Sequence, residues 1–304
     1  MLFYIILTFL NAQMMILVTG ATGHLGSATI DFLLKKIPAN EIAALVRDAS
    51  KGKTLAEKGI DVRIGNYHDY DSLVKAFKGI DKLLLISSND FNDRTGQQLN
   101  AINAAKEAGV KHVIYTSAVI KDIKTTAIPF VMDTHHATAE YLKASGLIYT
   151  LMNNNLYADV LPMFLGAKVL ETGVYIPTGE GTVPFATRLD MAEANANVLT
   201  TSGHENKEYN ISSTTLYSFA DIATLLSELS GKQIVYIDPT KEDFIAQLKQ
   251  VGVPEEYIGV TAGFAEAIKG NEFNLPDDSL EKILGRKPVE LKEYLRQTYF
   301  SGVN

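Results

Sequence analysis

The chain has 304 residues, of which 46% are hydrophobic and 21% are charged, a balance typical of a globular protein with a large core. Its formal net charge of −7 argues against nucleic acid as a direct partner, because binding a phosphate backbone requires a positive surface. The sequence contains no cysteine, which excludes disulfides, thiolate metal sites, iron–sulfur clusters and thiol catalysis. Any redox chemistry must therefore depend on an organic cofactor.

The chain begins with a short apolar segment, MLFYIILTFLNAQ, that precedes two methionines at positions 14 and 15. Its apolar block of about ten residues is too short to span a bilayer and lacks the basic residues that start a secretory signal. We interpret residues 1–14 as an N-terminal apolar extension, and a cleaved signal peptide is the alternative. The expected location is the cytoplasm, with no membrane association.

Short apolar runs alternate with segments of helical periodicity through the first half of the chain. The predicted order is MMILVT, a helix over 24–36, EIAALV, a helix over 51–58, DVRIG, a helix over 71–77, DKLLLIS, a helix over 93–108, KHVIYTS, a helix over 133–145, and LIYTLM. Continuous apolar strands suit a sheet buried on both faces, and helical connections make such a sheet parallel. The expected fold is α/β, a doubly wound parallel sheet of the Rossmann-like type.

After residue 155 the pattern changes to segments punctuated by glycine and proline, which suit loops, short strands and the wall of a pocket. Helices resume at two sequences with capping-box spacing, Ser218 with Asp221 and Thr240 with Asp243. We predict a Rossmann domain over residues 15–155, to which residues 187–210 return. A smaller, mostly helical substrate-binding region is predicted over residues 156–186 and 211–304.

The first predicted strand ends in VTGATGHLG, which places Gly20, Gly23 and Gly26 in and just after a turn that opens a helix. In dinucleotide-binding turns the first glycine permits a tight bend, the second lets the backbone approach a pyrophosphate, and the third lets helix and strand pack closely. The helix N-terminus supplies N–H groups and positive dipole for the phosphates. The position of this motif after a first strand therefore predicts a dinucleotide site, and a purely structural turn is the alternative.

The second predicted strand ends at Arg47, where dinucleotide-binding folds contact the adenosine ribose. An arginine there favours a 2′-phosphate through charged hydrogen bonds, so the predicted cofactor is NADP(H), and Lys51 could add a second positive charge. The alternative is that Asp48 is the operative residue, since a shift of one position exchanges the two.

Ser87, Ser88 and Asn89 follow the fourth predicted strand, whose carboxyl end borders the ligand crevice in this fold. They are candidates for the nicotinamide-side ribose and the phosphates. As turn formers and caps they could equally be structural.

Several segments together resemble one known family: TGATGHLG, ALVR, LLLISS, GVKHVIYTS, YTLMNNNLY, GHENKEYN, SELSGK and LEKILG. On these motifs, which run from about residue 15 to the C-terminus, the chain is similar to the NmrA-like atypical short-chain dehydrogenase/reductase family. The resemblance implies NADPH-dependent, two-electron reduction of a quinone or similar conjugated small-molecule acceptor, with no flavin and no metal.

The resemblance also assigns site residues. Its cofactor-binding positions fall on Gly20, Ala21, Thr22, Gly23, His24, Leu25, Gly26, Arg47, Ser87, Ser88, Asn89, Asn154, Asn155, Leu156 and Tyr157, and the last segment continues through Ala158 and Asp159. His135 falls where the family has a histidine that lines the substrate pocket, and Tyr157 is a second candidate for substrate binding. The chain departs from the family pattern at Asn66, Ala139, Asn153 and Asn155.

The chain has no YxxxK motif, the tyrosine–lysine pair with which ordinary short-chain dehydrogenases exchange a proton with a carbonyl or an alcohol. Without a positioned acid, interconversion of simple alcohols and ketones is disfavoured. A quinone needs less help, because its reduction gives a delocalised anion that takes a proton from water while the cofactor performs the difficult step. His135 could donate to this oxyanion, and Tyr157 could stack on the acceptor or hydrogen-bond to it. A capping histidine and a packing tyrosine are the alternatives.

A second functional interpretation is a non-catalytic redox sensor of the NmrA type that binds NADP(H) and reports its state to a partner. The long segment before Arg188 resembles a pocket wall and favours a small-molecule substrate. The sequence leaves open whether the protein is a monomer or a homodimer, and it identifies no catalytic residue. His68, His112 and His204 are expected at the surface.

Overall fold

The computed structural model describes residues 14–90 and 92–301, so the predicted extension over residues 1–14 lies outside the described residues except for Met14. The strands are β1 (Ile16–Val18), β2 (Ile42–Val46), β3 (Asp61–Ile64), β4 (Lys82–Ile86), β5 (His112–Ala118), β6 (Ile148–Asn154), β7 (Val174–Tyr175), β8 (Thr182–Val183), β9 (Lys207–Ile211), β10 (Tyr217–Ser218) and β11 (Tyr236–Ile237). Seven of them form one parallel sheet in the order β3-β2-β1-β4-β5-β6-β9.

Helices cover both faces of this sheet. The α-helices of the described residues are α1 (His24–Leu33), α2 (Lys53–Glu57), α3 (Tyr70–Phe77), α4 (Arg94–Glu107), α5 (Pro129–Ala144), α6 (Leu161–Leu165), α7 (Val169–Thr172), α8 (Arg188–Thr200), α9 (Phe219–Ser230), α10 (Lys241–Gln250), α11 (Glu255–Lys269), α12 (Ser279–Leu284) and α13 (Leu291–Phe300). Residues of α1, α8 and α12 pack on one face, and residues of α3, α4 and α5 pack on the other. The predicted Rossmann-like α/β class is therefore confirmed.

Strands β1 and β2 are apolar at every position, and β4 at every position after Lys82, because both of their faces are covered. In β4, Leu84 joins the cluster beneath α1 and α8, whereas its neighbours Leu83 and Leu85 join the cluster beneath α3, α4 and α5. All three leucines are fully buried. This two-residue alternation between two cores explains why the strand has no polar face to mark it as amphipathic.

One helix that carries a site residue begins earlier than its sequence suggests. The predicted helix over 133–145 is observed as α5, which starts at Pro129. Proline suits the first helical position because its fixed φ matches the helix and its missing N–H would have no intrahelical partner there. His135 consequently lies in the second turn of α5 and does not cap the helix.

The segment after β2 also differs from the prediction of one helix over 51–58. It forms a 3₁₀ helix over Ala49–Gly52 followed by the short α2. Asp48 caps the 3₁₀ helix by accepting a hydrogen bond from the Ser50 N–H. Because Asp48 caps this 3₁₀ helix, the helix begins soon after β2, and Arg47 lies between the end of β2 and the cap.

The residues that follow β6 build most of a third apolar cluster, from α6, α7, α9, α10, α11 and α13. The same region contains two small sheets, in which β7 pairs with β11 and β8 pairs with β10. The capping box at Ser218 has both of its hydrogen bonds, and Thr240 caps α10. Within the same half of the chain, β9 pairs with β6 and α8 packs against α1. Among the described residues, no helix combines the length and the apolar character needed to cross a membrane.

Candidate dinucleotide and acceptor site

A cavity of about 810 Å³ opens at the carboxyl edge of the main sheet. At this edge β1 and β4 are neighbours, and their connections lead to opposite sides of the sheet, which is the switch point where doubly wound folds bind ligands. The sequence-predicted site residues that line it are Gly20, Thr22, Gly23, His24, Leu25, Gly26, Arg47, Ser87, Ser88, Asn89, His135, Asn154, Asn155, Leu156 and Tyr157. Ala21 is fully buried beneath the turn and is not a lining residue.

The turn after β1 depends on two of its glycines. Gly20 has a φ of +57°, in the left-handed region that side chains rarely adopt. A Cβ atom at Gly26 would lie 2.8 Å from the carbonyl carbon of Gly20 and closer still to its oxygen. The turn and the first turn of α1 therefore meet backbone to backbone, and no side chain fits between them.

The N-terminus of α1 faces the cavity without a competing anion. Its N-cap is Gly23, which provides no side-chain hydrogen bond, and the first turn holds no acidic residue. The first N–H groups of a helix lack intrahelical partners and carry a partial positive charge. This end of α1 fits a pyrophosphate, and the glycine cradle leaves room for its close approach.

Arg47 and Asp48, the two candidates for the adenosine end, have different positions. Arg47 is exposed and lines the cavity. The Asp48 carboxylate caps the 3₁₀ helix, and the backbone hydrogen bond from Ser50 lowers its pKa. The geometry favours Arg47 as the residue that meets the ribose. Lys51, the second candidate cation, is exposed and is not among the lining residues.

The loops after β3 and β4 close the same end of the cavity. His68, expected at the surface, is exposed and also lines the cavity, and its Nε2 lies 3.2 Å from Oδ2 of Asp90. Ser88 donates a hydrogen bond to Gln97, and the Ser87 N–H donates to the Thr116 hydroxyl. These contacts hold the backbone after β4 against its neighbours, so the Ser88 side chain has a structural role beside any ligand contact, while Ser87 is held through its backbone.

Two asparagines at the end of β6, Asn154 and Asn155, line the cavity and make different hydrogen bonds. Asn154 donates through Nδ2 to the Tyr157 hydroxyl at 3.2 Å, while its buried Oδ1 has no hydrogen-bond partner among the described residues. Asn155 donates to the Phe273 carbonyl at 3.1 Å and accepts from the Leu156 N–H. Asn155 thus connects the loop after β6 to the C-terminal region, and the Oδ1 atom of Asn154 is available to accept a hydrogen bond from a ligand.

Tyr157 lies between Asn154 and Arg188. The Arg188 guanidinium lies over its ring at 5.3 Å from the centroid, and Arg188 also pairs with Asp159 at 3.2 Å. Burial raises the pKa of the Tyr157 hydroxyl, so the phenol is neutral at physiological pH. Its ring is positioned as one wall of the cavity.

His135 is held in a buried cluster with Arg94 and Tyr115. Its Nε2 lies 2.9 Å from Nη2 of Arg94, and its Nδ1 lies 3.1 Å from the Tyr115 hydroxyl. A guanidinium only donates, so Nε2 accepts, and Nδ1 carries the ring proton towards Tyr115. Burial, with the adjacent Arg94 charge, lowers the pKa of His135 to about 3. Both ring nitrogens are engaged, so the hypothesis that His135 donates directly to an acceptor does not fit this arrangement.

One wall of the cavity beside the Arg94–His135 pair is apolar, where α11 packs against the start of α5. Phe264 and Phe273 stack with centroids 6.0 Å apart and planes inclined by 12°. Val131, Val160 and Val260 complete this wall. An apolar wall with one aromatic pair suits a flat conjugated ring.

Sequence reasoning missed four residues of this end: Arg94, Tyr115, Phe264 and Phe273. A signal for Arg94 was available, because an arginine at the first position of a helix opposes the helix dipole and needs another reason to be there. Tyr115 reads as one more residue of a buried strand. The two phenylalanines come from a region more than 100 residues away from His135, and nothing local marks them.

One histidine was wrongly assigned to the surface. His112, at the start of β5, is buried, and its Nε2 lies 2.8 Å from the Thr150 hydroxyl. Strands β4 and β6 flank its position in the sheet, and this cover could not be predicted from the run KHVIYTS.

Comparison with known proteins identifies relatives of the whole chain. The model of the NmrA-like family matches residues 12–301. Quinone oxidoreductase 2 of Escherichia coli is 40% identical over 283 residues, which are 92% of this chain and 96% of that protein. The structure of the same enzyme complexed with NADPH has a TM-score of 0.86 at 35% identity, and covers 94% of this chain and 100% of its own.

A second solved relative is the Citrobacter sp. triphenylmethane reductase complexed with NADP(H). It has a TM-score of 0.88 at 39% identity, and the match covers 93% of this chain and 99% of that one. The resemblance inferred from the sequence motifs is confirmed by these matches. The chain belongs to the NmrA-like family.

Proposed function

We propose that this protein is an NADPH-dependent oxidoreductase that reduces a quinone or a similar conjugated acceptor by direct hydride transfer, without a flavin. The observation that carries the proposal is the continuity of one cavity, which runs from the glycine turn of α1 to the apolar wall beside His135. A dinucleotide and a flat ring can therefore share it. The predicted class of NAD(P)H-dependent oxidoreductase agrees with the names of the relatives.

The residues of the first half would bind the cofactor. The N-terminus of α1 fits the pyrophosphate, and Arg47 is placed for the 2′-phosphate of NADP(H). The unpartnered Oδ1 of Asn154 suits the amide group of a nicotinamide, because a buried acceptor without a donor is costly. Bound NADPH would supply the hydride. The protein's own contribution is orientation and the exclusion of water.

The acceptor end of the cavity, which contains His135, Arg94 and the apolar wall with Phe264 and Phe273, favours the reduction of quinones over that of simple ketones. Burial raises the pKa of the Tyr157 and Tyr115 hydroxyls, which makes each a weaker acid, and His135 offers no free ring nitrogen as a donor. An alkoxide would need a positioned acid, whereas the anion of a reduced quinone is delocalised and takes its proton from water. The stacked Phe264 and Phe273 provide the apolar wall for the ring.

The test measures NADPH consumption by purified protein under anaerobic conditions, with and without 1,4-benzoquinone and with no added flavin. Consumption that depends on both protein and quinone supports the proposal. A redox sensor would bind NADPH in a calorimetric titration and consume none with quinones, azo dyes or triarylmethane dyes. That result would replace the reductase by the sensor.

A further inference from the structure

We propose that Arg94 makes the acceptor end of the cavity selective for charge: it favours acceptors that become anions on reduction, or already carry a negative group, over cationic acceptors. The inference rests on the proposed reductase function and names the substrate class more closely. Quinones belong to the favoured class. Triarylmethane dyes, which are cations that become neutral on reduction, belong to the disfavoured one.

Arg94 is fixed in place at the cavity wall. It is the first residue of α4 and is only 9% exposed. Its Nε donates to the Ser88 carbonyl at 2.6 Å, and Nη1 lies 3.4 Å from the Val131 carbonyl. With the bond from Nη2 to His135, the guanidinium connects the loop after β4 to two turns of α5. Its charge is therefore held beside the apolar wall that would receive the acceptor.

The two titratable groups described next to this guanidinium, His135 and Tyr115, do not cancel its charge. His135 is neutral at physiological pH, since burial and Arg94 itself lower its pKa to about 3. Tyr115 is neutral because burial raises its pKa. Burial lowers the pKa of Arg94, but arginine starts so high that it stays protonated. The cluster of Arg94, His135 and Tyr115 carries one positive charge.

The remaining charges of the described cavity wall leave the acceptor end positive. Among the lining residues that the structure describes, the single carboxylate is Asp90; its Oδ2 lies 3.2 Å from Nε2 of His68, and it interacts with the charge of Arg47. Arg188 is balanced by Asp159. A positive charge in a partly buried site attracts a nearby anion and repels a cation far more than it would in water.

The chemical balance of the two reactions explains the selectivity. A neutral quinone that receives a hydride gains two electrons and one proton and becomes a hydroquinone monoanion, which then takes a second proton from water. A triarylmethane cation that receives a hydride at its central carbon becomes a neutral leuco dye. Positive charge at Arg94 stabilises the first transition state, in which negative charge develops, and destabilises binding of the second substrate.

The first experiment detects the charge of Arg94 through its effect on a bound phenol, and it requires no catalytic turnover. 4-Nitrophenol is titrated in the presence of NADP⁺-loaded protein, and its absorbance reports the ionisation of the bound phenol. We expect the apparent pKa of the bound phenol to be about one unit or more higher in Arg94→Gln than in the wild type, since an opposite charge nearby lowers the pKa of an acid by about 1–3 units. Equal values, or no binding of the phenolate to the wild type, would overturn the proposal.

The second experiment compares kcat/KM for neutral 1,4-naphthoquinone and for a cationic triarylmethane dye. We expect the quinone-to-dye ratio to fall about tenfold or more in Arg94→Gln and to be largely kept in Arg94→Lys, which retains the charge. Arg296→Gln, at an exposed arginine of α13, is the matched control and should leave the ratio unchanged. An unchanged ratio in a folded Arg94→Gln protein contradicts the proposal.

Two further outcomes can be distinguished: a variant that does not fold, and a wild type that has no reductase activity. If Arg94→Gln does not fold, the wild type is assayed with naphthoquinones that carry a sulfonate or a trimethylammonium group at the same ring position. The sulfonate should then be preferred about tenfold or more, and the reverse order would refute charge selection. If the wild type consumes NADPH with neither class of acceptor, the proposed function fails, while the nitrophenol titration still decides the role of Arg94.

Discussion

Replacing Gly26 by alanine tests the close packing of α1 on the glycine turn. The new Cβ would lie 2.8 Å from the Gly20 carbonyl carbon and 3.0 Å from the Ala21 Cα, whereas ordinary contact begins at 3.4 Å. All of these neighbours are backbone atoms, so the turn itself must move. Overpacking costs about 1–3 kcal/mol, and the better helix propensity of alanine returns about 1 kcal/mol at most, so we expect a net loss of about 1–2 kcal/mol in the free energy of unfolding.

The same displacement should weaken cofactor binding, because the turn that moves is the one expected to hold the pyrophosphate. We expect the Kd for NADPH to rise about tenfold or more, which corresponds to about 1.4 kcal/mol. Urea unfolding measures the stability, and a fluorescence titration measures the affinity.

Gly259 provides a matched control within α11. A Cβ there meets no atom within 4 Å, and its backbone is helical, so Gly259→Ala should stabilise the protein by about 0.5–1 kcal/mol and leave NADPH affinity unchanged. A Gly26→Ala protein with wild-type stability and affinity would show that the backbone contact has no energetic consequence.

Two further predictions concern charge. Arg47→Ala should weaken NADPH binding about 10- to 100-fold with little change for NADH, because it removes charge-assisted bonds to the 2′-phosphate; the same NADPH-to-NADH preference in both proteins would refute this role. Burial lowers the pKa of His112 to about 4, so below about pH 6.5 the unfolded chain binds a proton that the folded chain does not. Stability should therefore fall as the pH drops from about 6.5 to 4, by about 2 kcal/mol from this residue, and His112→Gln should flatten the decline measured by urea unfolding. The exposed His136→Gln serves as the control, and an equal flattening by both variants would contradict the assignment.

The glycine turn was predictable because each of its requirements is local. The left-handed φ of Gly20 and the close contact of Gly26 arise within seven consecutive residues of the chain. The fold class was predictable for a related reason. Apolar strands separated by helical segments can bury both faces of a sheet in few ways, and the handedness of the crossovers then fixes the parallel arrangement.

The acceptor end was predictable only in part. His135 was found through family resemblance, but its partners Arg94 and Tyr115 come from α4 and β5, and their positions depend on how these elements pack. The state of His135 follows from those partners, because the Arg94 donor fixes its tautomer and burial lowers its pKa. For the same reason the direct-donor hypothesis could be formed from the sequence and could not be tested there.

By itself, the sequence determined what depends on neighbouring residues: the parallel α/β framework, the glycine turn and the arginine that follows β2. These features depend on short-range sterics and on the periodicity of apolar residues, which are fixed by the order of the chain. Only the tertiary structure decided which side chains meet across the cavity, including the pairing of Arg94 with His135 and the stacking of Phe264 on Phe273. Such contacts join distant segments, and the burial that sets their charge and tautomeric state exists only once those segments have packed together.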